Sequence, residues 1–525
     1  MAAVELAPPP TAPPSGLGGA ARGGALNLAG AAYAAVAGFA VAALVARGLT
    51  PDQAGVFFTA TTVFLVGAVV CKLGTPTGLV YWLARLRTQG RPGLVRRCLS
   101  IALRPVVIAA VALGIAGFLA APWLAGSVGA LFADQLRILA VMLPLAAVGD
   151  AVLAATRGYR TMRPTVVIDK LVRPTLQLLG VGATVLLAAS VPWYTAAWAA
   201  PWAITAVLAW LALRPLLPPP RPANPTRPPD PTPSGPARPD EPPGALAAPG
   251  EPGFWGFTWP RGVANVLQLA LQRLDVVLVA ALAGFAPAAV YAVATRFTVV
   301  GQLGNAAIGT ASEPRLAEAL TRGDDATAKQ LYTYATAWLV LAAWPVYLLT
   351  ATFAPLYLGL FGPAYATGEA TAVVLLLCGA MLVASGCGTV DTVLAMTGRT
   401  TWNLGNVSAA LVVNVGLNLL LLPRLGILGA GIAWTAATIT KNLLPLGQLA
   451  VRRGLHPYGW ATAVAAGLAV GCFGVLPLLF RLVLGPSAPA LLAGAGAGAV
   501  CYLAGLWRLR GPLRLDSFLS REAPS

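Results

Sequence analysis

The sequence predicts an all-α integral membrane protein of about fourteen transmembrane helices, arranged as two parallel six-helix lobes around a central cleft plus two C-terminal helices. Three observations support this fold class. The mean hydropathy is +0.74 and only 10% of the residues are charged, whereas soluble domains have roughly 25%. Apolar runs of about 20 residues, the length that crosses a bilayer, recur along the chain. Finally, two distant stretches of the chain repeat each other.

The apolar runs fall into groups of six, six and two. They lie near residues 25–46, 54–74, 101–121, 135–156, 171–190, 193–213, 258–283, 286–311, 331–351, 369–391, 402–422, 427–449, 458–480 and 487–507. The predicted regions are a disordered cytoplasmic tail (1–24), an N-terminal lobe (25–213), a cytoplasmic linker (214–254), a C-terminal lobe (255–450), two additional spans (451–507) and a basic cytoplasmic tail (508–525). Residues 215–252 contain 16 prolines, a composition typical of a solvated linker.

The net charge of +17 is distributed in short loops between the apolar spans, which argues against a nucleic-acid partner. In membrane proteins an excess of Lys and Arg marks the cytoplasmic loops. Alternate loops are basic in this chain, and the opposite loops carry only Arg47, Arg424 and Arg481. This pattern predicts a multi-pass membrane protein with the linker and both termini in the cytoplasm.

The internal repeat is clearest at Asp150–Thr156 (DAVLAAT) and Asp391–Thr397 (DTVLAMT), which share five of seven positions. A second echo joins Gly48–Pro51 to Gly284–Pro287. Both echoes fall at corresponding places in the six-span groups, so the two lobes are predicted to run in the same order and orientation. Parallel repeats of this kind place the substrate site in the cleft between the lobes.

Several segments resemble the multidrug/oligosaccharidyl-lipid/polysaccharide (MOP) exporter superfamily, and within it the bacterial polysaccharide flippases. They are Leu44–Phe57 (LVARGLTPDQAGVF), Asp275–Val279 (DVVLV), Tyr291–Arg296 (YAVATR), Leu394–Arg399 (LAMTGR) and Gly426–Gly431 (GILGAG). The similarity covers roughly residues 25–450. Their order and spacing carry the resemblance rather than any single motif. The long Pro-rich linker departs from the short connection usual in the family.

This resemblance implies a transporter rather than an enzyme. It implies translocation of a polyprenyl-pyrophosphate-linked oligosaccharide from the inner to the outer leaflet by alternating access, in the synthesis of exopolysaccharide or lipopolysaccharide. Membrane lipids, a polysaccharide polymerase and glycosyltransferases are the implied partners, and no prosthetic cofactor is expected. A multidrug/cation antiporter of the same superfamily, a peptidoglycan lipid precursor flippase and a membrane glycan enzyme are the alternatives.

Cations inside predicted spans are the first candidates for substrate binding, because a charge in the bilayer is expensive and guanidinium groups bind phosphate well. They are Lys72, Arg104, Arg273 and Arg296. Long basic side chains near a helix end can instead reach the headgroups. That alternative applies mainly to Lys72 and Arg104, since Arg273 and Arg296 lie deeper in their predicted spans.

Polar residues in the seventh span form the clearest stripe, because Asn265, Gln268, Gln272 and Asp275 share one helical face. The amides suit sugar hydroxyls and are predicted to bind substrate. The carboxylate of Asp275 is predicted to couple transport to a gradient of H⁺ or Na⁺ or to the membrane potential, or to act as a fixed counter-ion. Arg296 is its expected partner. Scattered asparagines such as Asn418 are predicted to join helices by hydrogen bonds.

The repeated carboxylates Asp150 and Asp391 are predicted to form structural ties to nearby basic residues, with a coupling role as the alternative. The sequence contains no P-loop motif, which argues against ATP hydrolysis by that route. Its six cysteines include no Cys-x-x-Cys pair and its one histidine is His456, so no metal site is predicted.

Overall fold

The computed structural model of the chain describes residues 15–127, 129–159, 161–217, 253–397 and 400–514. Regular structure within these ranges is helical, without β-strands. Eleven of the described helices are long and apolar enough to cross a membrane. Most of the predicted N-terminal tail, the centre of the predicted linker and the end of the predicted C-terminal tail lie outside the described residues.

The first lobe contains eight α-helices and one π-helical segment. The α-helices are α1 (Ser15–Gly48), α2 (Pro51–Lys72), α3 (Thr75–Thr88), α4 (Val95–Ser127), α5 (Ala130–Gly158), α6 (Arg173–Leu186), α7 (Val191–Ala199) and α8 (Pro201–Leu213). The π-helix, Thr165–Val172, runs directly into α6.

The second lobe and the C-terminal spans contain the remaining helices. They are α9 (Phe254–Ala283), α10 (Phe285–Ala294), α11 (Thr298–Thr321), α12 (Asp325–Thr352), α13 (Ala354–Gly359), α14 (Gly368–Gly386), α15 (Val390–Met396), α16 (Thr400–Arg453), α17 (Trp460–Ala469), α18 (Leu476–Leu484) and α19 (Ala488–Leu509). A second π-helical segment, Val470–Val475, joins α17 to α18.

All fourteen predicted spans fall on these helices, so the predicted fold class is confirmed. The count of eleven long apolar helices is lower for three reasons. Helix α16 carries two predicted spans that meet at a kink at Gly426 (φ 56°). The predicted span at 286–311 is divided between α10 and α11. The helical segment that carries the predicted span at 171–190 contains three charged residues, Asp169, Lys170 and Arg173.

The two lobes pack closely along α2, which contacts both α9 and α10 of the second lobe. One buried apolar cluster crosses the boundary and includes Phe57 and Phe58 from α2 with Tyr291 from α10. One close approach involves Gly55, because a Cβ atom added there would lie 1.8 Å from the carbonyl oxygen of Phe285. Only glycine permits this backbone contact.

The additional C-terminal spans form a hairpin against α12, away from α2. The hydroxyl of Tyr502 on α19 donates a hydrogen bond to the carbonyl of Leu341 at 2.7 Å, and the guanidinium of Arg481 on α18 donates to the carbonyl of Thr352. Arg481, which the charge pattern placed in a loop, therefore lies on a helix and holds this hairpin to the second lobe.

Two helices of the second lobe are interrupted within predicted spans. Residues Thr295–Phe297 form a turn between α10 and α11, inside the predicted eighth span. The helix of the predicted tenth span ends at Gly386 and resumes as α15 at Val390, with Gly388 at φ +68°. The corresponding α5 of the first lobe runs without a break. The lobes are therefore alike in order and different in detail.

Candidate functional site

A central cavity of about 400 Å³ lies between the lobes. Its walls in the first lobe come from α1, α2, α6, α7 and the π-helix that runs into α6. The second lobe contributes Arg273 from α9, together with Arg296 and Val299 from the α10–α11 junction. This is the cleft that the internal repeat predicted.

The central cavity is strongly cationic. The charged residues on its wall are Lys170, Arg173, Arg273, Arg296 and Asp169. Four positive groups and one negative group give a formal charge of +3. The cavity is thus suited to an anion.

Arg273 and Arg296 reach this cavity without a carboxylate partner. Neither guanidinium forms an ion pair with any described residue, and the Nε of Arg296 has no hydrogen-bond partner among them. The guanidinium carbon of Arg296 lies 5.2 Å from the ring centroid of Phe58 on α2, a distance at which a cation–π interaction stabilises the charge. Both arginines therefore keep their hydrogen-bond donors available.

Lys170 and Arg173 line the central cavity, although they were not among the candidate residues predicted from the sequence. They lie in the continuous π- and α-helical segment that begins at Thr165. Arg173 pairs with Asp169 at 2.5 Å, one turn earlier, and its guanidinium carbon lies 4.0 Å from the centroid of Trp202. The i,i+4 spacing of Asp169 and Arg173 is the sequence signal that could have extended this helix.

Lys72 lies beside the cavity instead of on its wall. Its ammonium donates to Asp150 Oδ2 at 2.7 Å, and its side chain is 16% exposed. Arg173 also approaches Asp150, at 3.7 Å. In the second lobe Asp391 pairs with Lys441 at 3.4 Å. The structure thus gives the two repeated carboxylates the basic partners that were expected.

The other predicted cation, Arg104, has an exposed side chain on α4 and is not among the residues that line the central cavity. Its position is that of a side chain that reaches outward from its helix. A role for Arg104 in substrate binding stays a prediction that the cavity does not support.

Asp275 is buried at 2% exposure between α9 and α16. The expected ion pair with Arg296 is not formed. Instead the amide of Asn418 donates to Asp275 Oδ1 at 2.9 Å and to the backbone carbonyl of Asn414 at 2.9 Å. Among described residues, Asn418 Oδ1 and Asn414 Nδ2 have no partner. A carboxylate held by neutral amides can accept a proton or a small hard cation.

Gln268 and Gln272 line a second cavity of about 350 Å³, formed by residues of the second lobe. We call it the side chamber. Its walls come from α9, α11, α12, α14, α15, α16 and the break at Gly388. Asn265, from the same predicted stripe, is exposed on α9 and does not line the side chamber. Only part of the predicted stripe therefore reaches a cavity, and its role in binding stays a prediction.

A third, small cavity of about 70 Å³ shares wall residues with both of these cavities, and we call it the passage. It shares Arg273 and Arg296 with the central cavity. With the side chamber it shares Gln272 and Trp434. The central cavity, the passage and the side chamber are therefore adjoining compartments.

Amide pairs elsewhere join helices as expected. Asn406 and Gln448, both on α16 but on opposite sides of its kink, exchange two hydrogen bonds of 2.9 Å. Such pairs contribute about 0.6–2 kcal/mol in membranes. In the described residues no group of three or more His, Cys, Asp or Glu could hold a metal ion.

Comparison with known proteins agrees with the fold. Residues 260–420 match the MatE family model. No curated protein sequence matches the chain. Among solved structures, an inward-facing multidrug resistance MATE family transporter of the MOP superfamily aligns with a TM-score of 0.60 at 15% identity, covering 80% of this chain and 94% of the other.

Two further structures align over most of the chain. The lipid II flippase MurJ, in an inward closed conformation, has a TM-score of 0.63 at 9% identity and covers 92% of this chain and 98% of its own. A MOP superfamily transporter from Pyrococcus furiosus has a TM-score of 0.55 at 15% identity, with 83% and 95% covered. The MatE match covers residues 260–420, and over the rest of the chain the likeness to these transporters is one of fold.

Proposed function

We propose that this chain is a flippase that moves a polyprenyl-pyrophosphate-linked oligosaccharide from the inner to the outer leaflet of the plasma membrane. The observation that carries the proposal is the +3 charge of the central cavity, with two arginines that lack carboxylate partners. A pyrophosphate group linked to a sugar supplies matching negative charge. Arg273 and Arg296 are the residues that we propose to bind it.

The physical argument concerns the cost of these charges. A single Arg at the centre of a membrane helix costs about 2.5–3.5 kcal/mol on insertion scales. Arg173 offsets this cost with Asp169, while Arg273 and Arg296 do not pair within the described chain. Bidentate, charge-assisted hydrogen bonds to phosphate oxygens would satisfy both guanidinium groups. The cavity is therefore better matched to a bound anion than to its empty state.

The charge map supports the proposed direction of transport. The basic loops are proposed to be cytoplasmic, and Lys170 and Arg173 lie at the corresponding end of the cavity. At the opposite end the lobes meet at Gly55 and Phe285, and Arg47 donates from its Nε to the carbonyl of Leu360 at 2.7 Å. We infer that a lipid headgroup enters from the inner leaflet and leaves when this contact opens.

Asp275 is proposed to couple transport to an ion gradient. Its carboxylate lies on the wall of the passage beside Arg273 and Arg296, and its hydrogen-bond donor is a neutral amide. Binding of a proton or of Na⁺ would change the charge next to the anion site. Such a change gives the coupling ion a direct effect on substrate affinity.

The positive formal charge of the central cavity disfavours the alternative of a multidrug/cation antiporter, because an organic cation would meet three excess positive charges. A peptidoglycan lipid precursor flippase would use the same pyrophosphate chemistry. One of the structural neighbours is described as a lipid II flippase, and this likeness in fold is the observation that favours the second alternative. The two flippase functions differ in the glycan and therefore need different test lipids.

The test is a flipping assay in vesicles that contain the purified full chain and a fluorescent polyprenyl-pyrophosphate disaccharide. Flipped lipid is measured by its protection from a membrane-impermeant quencher. We expect Arg273→Gln and Arg296→Gln each to slow flipping by about 10–100-fold, which corresponds to the loss of about 1.5–3 kcal/mol of charge-assisted bonding.

Arg322→Gln is the matched control, because Arg322 is 73% exposed and pairs only with Glu318 on its own helix. It should flip lipid at the wild-type rate. Normal flipping in both cavity variants would reject the proposed anion site. Absence of flipping by the wild-type chain, for lipids with either glycan, would reject the proposed function.

A further inference from the structure

The side chamber differs from the central cavity in its chemistry. Its charged residues are Asp391 and Lys441, which pair at 3.4 Å, so its formal charge is zero. Most of its other polar groups are amides and hydroxyls. Because the carboxylate is already paired with a lysine, the chamber has no unpaired charge with which to select a cation or an anion.

Three amides on the wall of the side chamber are unused by the protein. Gln268, Gln272 and Asn305 form no hydrogen bond with any described residue. Each amide offers two donors and an acceptor. Thr392 and Asn442 extend the same surface. Amides without internal partners on a concave wall are suited to a ligand that both donates and accepts hydrogen bonds.

An aromatic face completes this wall. Trp434 on α16 lines both the side chamber and the passage to the central cavity. The apolar faces of sugar rings pack against such side chains, while their hydroxyl groups turn to amides. Few other neutral ligands need an aromatic face and several amides together, and a volume of about 350 Å³ lies within the range of small-molecule sites.

The break between α14 and α15 supports a binding role. Gly388 and Thr389 lie on the chamber wall where the helix is interrupted. Irregular backbone at membrane depth is tolerated where it lines a cavity, and broken helices accompany substrate sites in transporters. The equivalent α5 in the first lobe is continuous. The chamber is therefore a feature of the second lobe rather than a consequence of the repeat.

We infer that the side chamber binds a neutral sugar ring of the substrate while its pyrophosphate occupies the central cavity. This inference rests on the proposed function, since the anion at Arg273 and Arg296 positions the glycan. Gln272 lines the side chamber, Arg273 lines the central cavity, and both line the passage. These shared walls place the proposed sugar site next to the proposed pyrophosphate site.

The experiment compares two lipids that bind to the full chain in lipid nanodiscs. One is polyprenyl pyrophosphate without sugar, and the other is the same lipid with a neutral disaccharide. We expect Trp434→Ala and Gln268→Leu each to weaken binding of the glycosylated lipid by about tenfold, the effect of losing one or two ligand hydrogen bonds or a packed ring. Binding of the bare lipid should not change.

Two further variants separate this inference from the proposed function. Arg296→Gln should weaken both lipids, and Trp123→Ala should weaken neither, because Trp123 is 78% exposed on α4. Thermal unfolding identifies any variant that fails to fold, and Gln268→Leu then replaces Trp434→Ala as the decisive one. Equal losses for both lipids, or no loss, in the chamber variants overturn the inference. An Arg296→Gln effect on both lipids would still support the anion site in that case.

Discussion

Replacement of Gly55 by alanine tests the contact that we propose to close one end of the central cavity. The new Cβ would lie 1.8 Å from the carbonyl oxygen of Phe285, and real Cβ atoms essentially never approach a heavy atom within 3.0 Å. The backbones of α2 and α10 must therefore separate by at least the difference, 1.2 Å. The Cβ atom is fixed by the backbone of α2, and the atom that it meets is a backbone oxygen of α10. Rotation of a side chain therefore cannot relieve the clash.

The expected cost is that of overpacking a tight interface, about 1–3 kcal/mol. Only the state in which α2 and α10 touch bears this cost. The equilibrium should therefore shift by about 5–150-fold toward states in which the two lobes separate at this end. Flipping should slow as well, because alternating access needs both states.

The assay is a distance measurement by electron paramagnetic resonance between spin labels on the two lobes. Asp52→Cys on α2 and Leu360→Cys after α13 are exposed sites near the contact. Cys501 is the exposed native cysteine and is first changed to serine. Gly55→Ala should move the distance distribution to longer values.

Gly379→Ala is the matched control, since a Cβ there meets no heavy atom within 4 Å. It should give the wild-type distribution. An unchanged distribution and an unchanged flipping rate in Gly55→Ala would refute the idea that this contact closes the cavity.

Two further predictions concern carboxylates in the two lobes. Asp150→Asn leaves Lys72 and Arg173 without part of their compensation, and we expect it to lower the free energy of unfolding by about 1–3 kcal/mol, measured by thermal unfolding in detergent. A stability equal to that of the wild type would contradict the structural role of this carboxylate. Asp275→Asn keeps a hydrogen-bond acceptor for Asn418, so the protein should fold, while the dependence of flipping on an imposed H⁺ or Na⁺ gradient should disappear. Retained gradient dependence would make Asp275 a fixed counter-ion.

The architecture was largely predictable from the sequence because a bilayer leaves few options. Apolar runs of sufficient length must be helices, and the repeat at Asp150 and Asp391 set the order of the two lobes. Arg273 and Arg296 could be picked out because a charge deep in a span is conspicuous. Their placement on one cavity agrees with that reasoning, and their role in binding stays a prediction.

The walls of the cavities could not be predicted in the same way. A membrane helix contacts lipid on one face and neighbouring helices on the opposite face, and both faces are apolar. Its sequence therefore has no hydrophobic periodicity that marks the inner face. Lys170 and Arg173 were not picked out as candidates because they lie at the polar start of the predicted span at 171–190. The hydrogen bond between Asn418 and Asp275 joins residues 143 positions apart, and only the crossing of α9 and α16 brings them together.

The cavity arginines of the two lobes differ in whether a carboxylate already pairs with them, and this difference bears on the transport cycle. Arg173 of the first lobe already shares its charge with Asp169 and Asp150. Arg273 and Arg296 of the second lobe share theirs with no described carboxylate, and the side chamber adjoins them through the passage. A pyrophosphate therefore gains more from the second lobe than from the first. We expect the substrate to stay with the second lobe while the first lobe rocks across it, so that cavity variants of the second lobe weaken binding in both orientations of the transporter.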